Sequence, residues 1–347
     1  MTGPGGAVTR HPASAKSVQC LLTFDVEEWF QAENLRPVFP RAHWDRIPRR
    51  VVAATRSILE LLAERRRRAT FFVLGWVAER EPALIREIAD HGHEIAAHGH
   101  GHVLPMQLTG AEFRDDVLRA RKVLEDITGQ PVRGYRAPSF SLNHEHLAIL
   151  GECGFRYDSS FHPFTLHDRY ARLDGLGAPL RRGVYPIGGE MMELALPVER
   201  WGWLQLPISG GGYFRLYPGA LFRRLVRRAI VRDGHYLMYL HSWEFDPELP
   251  RVKVPGFGYG FRHYNNLRRT LPRMRQLIAM LDTLGAAFVT AGEFLDGLRG
   301  TSPIDPGAHG GETADASGAN TRLASARGDL VIHPHQAMRL SEGAQAS

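Results

Sequence analysis

Cysteine is nearly absent from this 347-residue chain: Cys20 and Cys153 are the whole complement, which excludes a disulfide framework and a cysteine-based zinc site. Lysine is almost as scarce, with Lys16, Lys122 and Lys253 the only ones among 43 basic residues, so the basic charge is carried by arginine. The net charge of +6 is mild and the arginines are scattered rather than banked, which argues against a nucleic-acid-binding protein. No apolar run approaches the roughly 20 residues that a membrane-spanning helix needs, so no integral membrane segment is expected. The opening stretch MTGPGGAVTRHPASAKS lacks the apolar core of a signal peptide, and a cytoplasmic location is the expectation that follows. Two glycine-rich stretches are also missing their usual sequels. SGGGYF (209–214) is not followed by the Gly-Lys-Ser/Thr of a phosphate loop, and PGFGYGF (255–261) lacks the spacing and setting of a dinucleotide fingerprint.

What is present is a globular composition, 44% hydrophobic and 23% charged, over a length sufficient for a sizeable core. Residues 1–17 and 301–347 read as disordered tails, the latter too rich in Gly, Ala, Ser and Asp to bury a core. Between them helical stretches and short apolar runs alternate. VVAATRSILELLAERRRR leads into the β-like ATFFVLGWV, and EPALIREIADHG leads into HEIAAH. Thr109 and Glu112 form a capping box that opens AEFRDDVLRARKVLEDITG, with VRGYRAP after it. HEHLAILGECG precedes FRYDSS, GALFRRLVRRAIVRDG precedes HYLMYLHSW, and NNLRRTLPRMRQLIAMLDTLG precedes AAFVT. Strand–helix alternation of this kind predicts an α/β fold with a parallel sheet, either a barrel or a doubly wound sheet. Residues 161–217 break the rhythm with Pro- and Gly-rich segments and are expected to form an insertion or rim.

The chemically able residues sit where apolar strands end: Asp25 and Glu27, His98 and His102, Arg136, Asp158 and His241. In a parallel barrel those ends converge on one face, where active sites are built. In HEIAAHGHGH, His98 and His102 are four apart among small residues and can close on a divalent cation, with His100 a competitor by spacing alone. A carboxylate is a common third ligand, and Asp25 and Glu27 in LLTFDVEEWF are the candidates. Alternation along a strand puts Asp25 and Glu27 on one side, with Val26 and Glu28 on the other. Arg136 in YRAPSF, stiffened by Pro138, can pair with a carboxylate and hold it ionised. His241, closing the apolar strand YLMYL, is a candidate general acid. Tyr213, Phe214, Phe257 and Tyr259 suit either loops that lay aromatic rings on a ligand or tight turns packed over the core.

Taken in order, TFDVE, HGHGH, RAPSF and the strand ending at His241 resemble the polysaccharide deacetylase superfamily, the NodB-homology hydrolases of carbohydrate esterase family four. The resemblance runs over roughly residues 18–295 and implies a distorted (β/α) barrel, with one domain expected over 18–300. It implies a divalent metal, zinc first among them, and hydrolysis of N-acetyl groups on amino sugars of a carbohydrate polymer or oligomer. Carried over by motif, Asp25 matches the general base, Arg136 the residue orienting it, and His241 the general acid. His98 and His102 match the metal histidines, leaving His100 a bystander. The family's usual second Asp is Val26 here; a branch with Asp-x-Asp/Glu implies Glu27 as the carboxylate ligand. Glu28 is then structural or solvated. Pro138, Phe140, Tyr213 and Trp243 are expected to touch the substrate. Asp158 resembles the fourth family motif in part. The half from about residue 200, with ISGGGYFRLYP and HSWEFDPELPR, resembles a subset found with bacterial exopolysaccharide and exosortase systems. A hydrolase of a small cyclic or linear amide with the same metal core, and a non-catalytic glycan-binding module, are the alternatives.

Overall fold

The computed structural model describes residues 18–163, 173, 175–201, 204–253 and 258–303. The tail expected at 1–17 lies outside the described residues, as do Phe257 and all but the first three residues of the tail expected at 301–347.

Eleven strands are described: β1 (Gln19–Val26), β2 (Thr70–Val73), β3 (Glu94–Ala97), β4 (Gly134–Tyr135), β5 (Tyr157–Asp158), β6 (Val184–Gly188), β7 (Met191–Leu194), β8 (Val198–Trp201), β9 (Leu204–Pro207), β10 (His235–His241) and β11 (Ala287–Phe288). The helices are α1 (Val51–Arg65), α2 (Gly75–Arg80), α3 (Pro82–Asp90), α4 (Gly110–Thr128), α5 (His144–Glu152), α6 (Gly211–Leu216), α7 (Gly219–Asp233), α8 (Tyr259–Tyr264), α9 (Thr270–Thr283) and α10 (Ala291–Asp296). The main sheet runs β10-β1-β2-β3-β4-β5-β7-β6, with β11 also on β1. All its pairings are parallel except β6 with β7. The result is a curled half-barrel covered by helices, the distorted form of the expected (β/α) barrel. Its ladder starts at β10 and ends at β6 without closing.

The layering follows from strand periodicity. Along β1, Cys20, Leu22, Phe24 and Val26 pack into the apolar layer under the helices, while Leu21 enters the smaller cluster inside the curl. Both faces are therefore covered, so the strand reads as one apolar run. Thr23 and Asp25 share the inner face with Leu21, and they are the polar interruptions that mark the site. Leu237 and Tyr239 of β10 and Phe72 of β2 fill the same interior.

The helix boundaries follow capping chemistry. Thr109 Oγ1 accepts from the Glu112 N–H, and Gly129 ends α4 at φ 68°. Glu28 is fully buried, so it is structural rather than solvated: its carboxylate accepts from the N–H groups of Arg50 (2.9 Å) and Val51 (3.1 Å) at the start of α1. Burial raises that carboxyl to about 7 despite those donors.

Two local expectations change. ATFFVLGWV is strand only over Thr70–Val73, because Gly75 and the residues after it turn into α2. The segment 161–217 contains more than a rim. Its β6–β7 hairpin extends the main sheet, and β8–β9 forms a separate two-stranded ribbon. Among the described residues, no helix is long and apolar enough to cross a membrane.

Candidate active site

Strands β1 and β10 lie in register with Asp25 opposite His241, so their C-terminal ends deliver both residues to one pocket. That pocket is lined by Asp25, Glu27, His98, His102, Phe140 and His241, together with Trp243, Glu244, Arg215 and His263 from the later part of the chain.

Glu27, His98 and His102 are buried, and their ligand atoms lie within 4.8 Å of one another. Glu27 Oε2 is 2.9 Å from His102 Nε2 and 3.9 Å from His98 Nε2, yet it is buried without a partner in hydrogen-bond geometry. His98 Nδ1 lies 2.8 Å from the Arg136 carbonyl; it therefore carries the proton, and Nε2 offers a lone pair to the pocket. Burial lowers His98 to about 4, which keeps the ring neutral. For Glu27 burial acts upward, but His102, His241 and His98 outweigh it and hold the carboxyl below the usual carboxylate range. Two imidazoles and one ionised carboxylate that turns a buried oxygen toward them suit a divalent cation.

The loop carrying the histidines is built tightly. His102 adopts φ 52° without being glycine, a strained conformation of the kind found at functional sites. Gly99 has φ 71°, and a Cβ there would stand 2.9 Å from the Asp116 carboxylate, which accepts the His100 N–H. His100 itself turns away from the pocket, with Nε2 3.0 Å from Glu79 Oε1.

Arg136 is fully buried beneath Asp25. Its guanidinium donates to Asp25 Oδ1 at 2.7 Å, to Thr23 Oγ1 at 3.0 Å and to Ser159 Oγ at 3.0 Å. Thr23, Asp25 and Ser159 are thus tied to one guanidinium, which fixes the orientation of the Asp25 carboxylate.

His241 is positioned by a residue that strand-end reasoning passed over. Glu244 Oε1 lies 2.9 Å from His241 Nδ1, and Arg215 Nε donates to Glu244 Oε2 at 2.8 Å. Held so, Nε2 of His241 points at Asp25 Oδ2 (3.9 Å) and Glu27 Oε1 (3.8 Å). Burial opposes charge on the ring, but Glu27, Glu244 and Asp25 raise it to about 9. A cation on Glu27 would take back part of that rise. Arg215 and His241 lower Glu244 to about 2 against the effect of burial. The glycines of SGGGYF now have a purpose: a Cβ on Gly211 would fall 1.8 Å from Glu244 Oε2, so only glycine lets α6 approach the carboxylate that holds His241. The signal in sequence was the i, i+3 spacing of His241 and Glu244 in HSWE.

The expected substrate contacts divide. Phe140 and Trp243 line the pocket, whereas Pro138 and Tyr213 do not. Pro138 opens the turn Pro138–Phe140 and packs back toward Gly99, while Ala137 and Ser139 face the pocket in its place. Tyr213 lies one residue past pocket-lining Gly212 on α6, a rotation of about 100° that turns it onto Tyr217 and the Arg262 guanidinium. Trp243 turns its indole N–H to Glu27 Oε1 at 3.0 Å. Glu33, Asn34, Arg262 and His263, also in the lining, had no signal in the sequence reading.

Asp158 does not reach the pocket lining. It accepts from Ser160 Oγ (2.8 Å) and the Ser160 N–H (3.0 Å), and Ser160 Oγ accepts from the Ala137 N–H (2.8 Å), so Asp158 supports the loop that carries Arg136. Glu193 of β7 shares this buried niche and accepts from the N–H groups of Ser160 (3.1 Å) and Phe161 (2.8 Å). Burial pushes both carboxyls up, Glu193 further because the Asp158 charge lies against it. The folded state then binds more protons than the unfolded chain above the ordinary glutamate value of 4.5, so this group's contribution to stability falls as pH rises. Glu193→Gln keeps the acceptor and supplies a donor to Asp158. It is expected to raise the thermal midpoint more in mildly alkaline than in mildly acidic buffer. An equal shift at both pH values would contradict a shared proton here.

Residues 42–157 match the family Polysaccharide deacetylase, and residues 159–289 match a domain of unknown function, DUF3473. The chain is 31% identical to a peptidoglycan deacetylase of Helicobacter pylori over 140 residues, 37% of this chain and 48% of the relative. It is 34% identical to a chitooligosaccharide deacetylase of a Bradyrhizobium species over 101 residues, 29% of this chain and 46% of the relative. The chain thus spans just under half the length of these curated relatives. A crystal structure from Mycobacterium smegmatis, assigned as a polysaccharide deacetylase, superposes with a TM-score of 0.55 at 21% identity, covering 85% of this chain and 96% of that one, which shows a shared fold. The pocket crosses the matched segments: His98 and His102 fall in the first, Arg215, His241, Trp243 and Glu244 in the second, and Asp25 and Glu27 precede both. Over residues 42–157 the chain thus matches the polysaccharide deacetylase family, and its fold is shared with that crystal structure.

Proposed function

We propose that the protein is a metal-dependent hydrolase that removes N-acetyl groups from amino sugars of a bacterial exopolysaccharide or cell-wall glycan. The observation that carries this reading is the convergence, in one pocket, of a His-His-Glu cluster with an arginine-held aspartate and a glutamate-held histidine. We further assign residues 18–300 to one domain and zinc to the cluster, since two imidazoles and a carboxylate with open positions suit that ion.

Glu27, His98 and His102 would hold the cation, which when bound polarises an acetyl carbonyl and acidifies a water. Asp25, oriented by Arg136, accepts the proton of the attacking water. His241 faces the same point with Nε2 and donates its proton to the leaving sugar nitrogen, while Glu244 keeps the other ring nitrogen occupied. The C–N bond breaks, and acetate and a free amine leave. Phe140 and Tyr239, with ring centroids 5.0 Å apart, form the apolar side of the pocket and suit the acetyl methyl.

The test is acetate release from a panel of N-acetylglucosamine oligomers and N-acetylated glycans with the zinc-loaded protein. Release that chelator abolishes and zinc restores is the expected result. No release from any glycan, together with hydrolysis of a cyclic amide, would replace this reading with the small-amide one.

A further inference from the structure

We propose that Trp243 is a positioning residue for the metal site: its indole N–H fixes one oxygen of Glu27 and so directs the other at the cation. The inference rests on the metal reading above and deepens it.

Trp243 Nε1 donates to Glu27 Oε1 at 3.0 Å, and both residues are buried. Glu27 Oε2, the oxygen nearer both histidines, is the one left unsatisfied. A glutamate has one more rotatable bond than an aspartate, so a ligand of this length needs an external constraint to keep one oxygen aimed inward. The indole supplies it at one end of the side chain. Ser242 supplies it at the other, with Oγ donating to the Glu27 carbonyl at 2.8 Å. The indole is itself immobilised between two rings, stacked on His241 at 5.2 Å and on His263 at 4.3 Å. His263 is held in turn through its carbonyl by Arg215, the residue that also holds Glu244. The turn His241-Ser242-Trp243-Glu244 thus serves the cation's carboxylate and the proton donor together. Donors behind a ligating carboxylate commonly change metal affinity about 10–100-fold when removed.

The experiment is zinc competition against a chromophoric chelator for the wild type, Trp243→Phe, His263→Leu and His98→Ala. Trp243→Phe keeps a stacked ring and loses only the donor, and is expected to weaken zinc binding about 10–100-fold. His263→Leu keeps the donor but removes one of the two rings that hold the indole, and is expected to weaken zinc binding by less than Trp243→Phe does. As a second readout that needs no variant, one of the indole N–H resonances of the six tryptophans in the wild type should move strongly on zinc addition. Trp243→Phe binding zinc as tightly as the wild type, or no indole resonance responding, would overturn the inference. If the wild type binds no more zinc than His98→Ala, the metal reading itself fails and the inference falls with it.

Discussion

His98→Ala is expected to abolish stoichiometric zinc and, with it, acetate release, while leaving the fold intact. The reason lies in how the ring is held. His98 donates from Nδ1 to the Arg136 carbonyl, so the Nε2 lone pair is the one offered to the cluster. Removing it leaves Glu27 and His102, two groups where a structural or catalytic zinc site ordinarily uses three or more. The side chain is buried, but the neutral imidazole is held by a single hydrogen bond, so the fold loses little. Elemental analysis of the purified variant checks the metal, and circular dichroism checks the fold. Zinc retained at one equivalent per chain with full turnover would remove Glu27, His98 and His102 from the mechanism together.

Asp25→Asn and His241→Ala are expected to show the opposite signature, with metal retained and turnover lost. Positioned acid and base groups typically contribute about 10²–10⁴-fold each, and a loss in kcat of that size is expected for either variant. Asparagine is isosteric and can still accept from Arg136, so Asp25→Asn tests proton transfer rather than packing. His241 stands 3.8 Å from Glu27 without serving in the metal cluster, so its removal should leave zinc content unchanged. Glu244→Gln refines the second case, because it weakens the charge that favours protonated His241 while preserving shape. Single-turnover rates with N-acetylglucosamine oligomers, beside metal analysis, separate the two steps. A variant at either position with wild-type kcat would return that residue to a structural role.

Much of the fold was legible because local chemistry wrote it. The Thr109–Glu112 capping box and Gly129 bound α4 in sequence and in structure alike, and the helical stretches at 51–68 and 219–234 became α1 and α7. The strand VRGYRAP shrank to Gly134–Tyr135 and FRYDSS to Tyr157–Asp158. Those strands end where side-chain bonds begin, Arg136 to Asp25 and Ser160 to Asp158, and no periodicity encodes such bonds. The antiparallel β6–β7 hairpin was invisible for a related reason: its register carries a bulge between Pro186 and Gly188, which breaks the alternation a reader looks for.

At the site, residue type and spacing were sufficient to nominate Asp25, Glu27, His98, His102, Arg136 and His241, since each is a polar interruption at the end of an apolar strand. Sequence alone thus determined which groups can bind a cation or move a proton, because that capacity belongs to the side chain itself. The tertiary structure decided which group holds which. Arg136 meets Asp25 across 111 positions and Trp243 meets Glu27 across 216, distances along the chain over which no local pattern extends. It also decided that Glu28 serves the start of α1, that His100 belongs to Glu79, and that Gly211 exists to admit Glu244. Each of these is a partnership set by the curl of the sheet, which brings strand ends together only once the whole chain has folded.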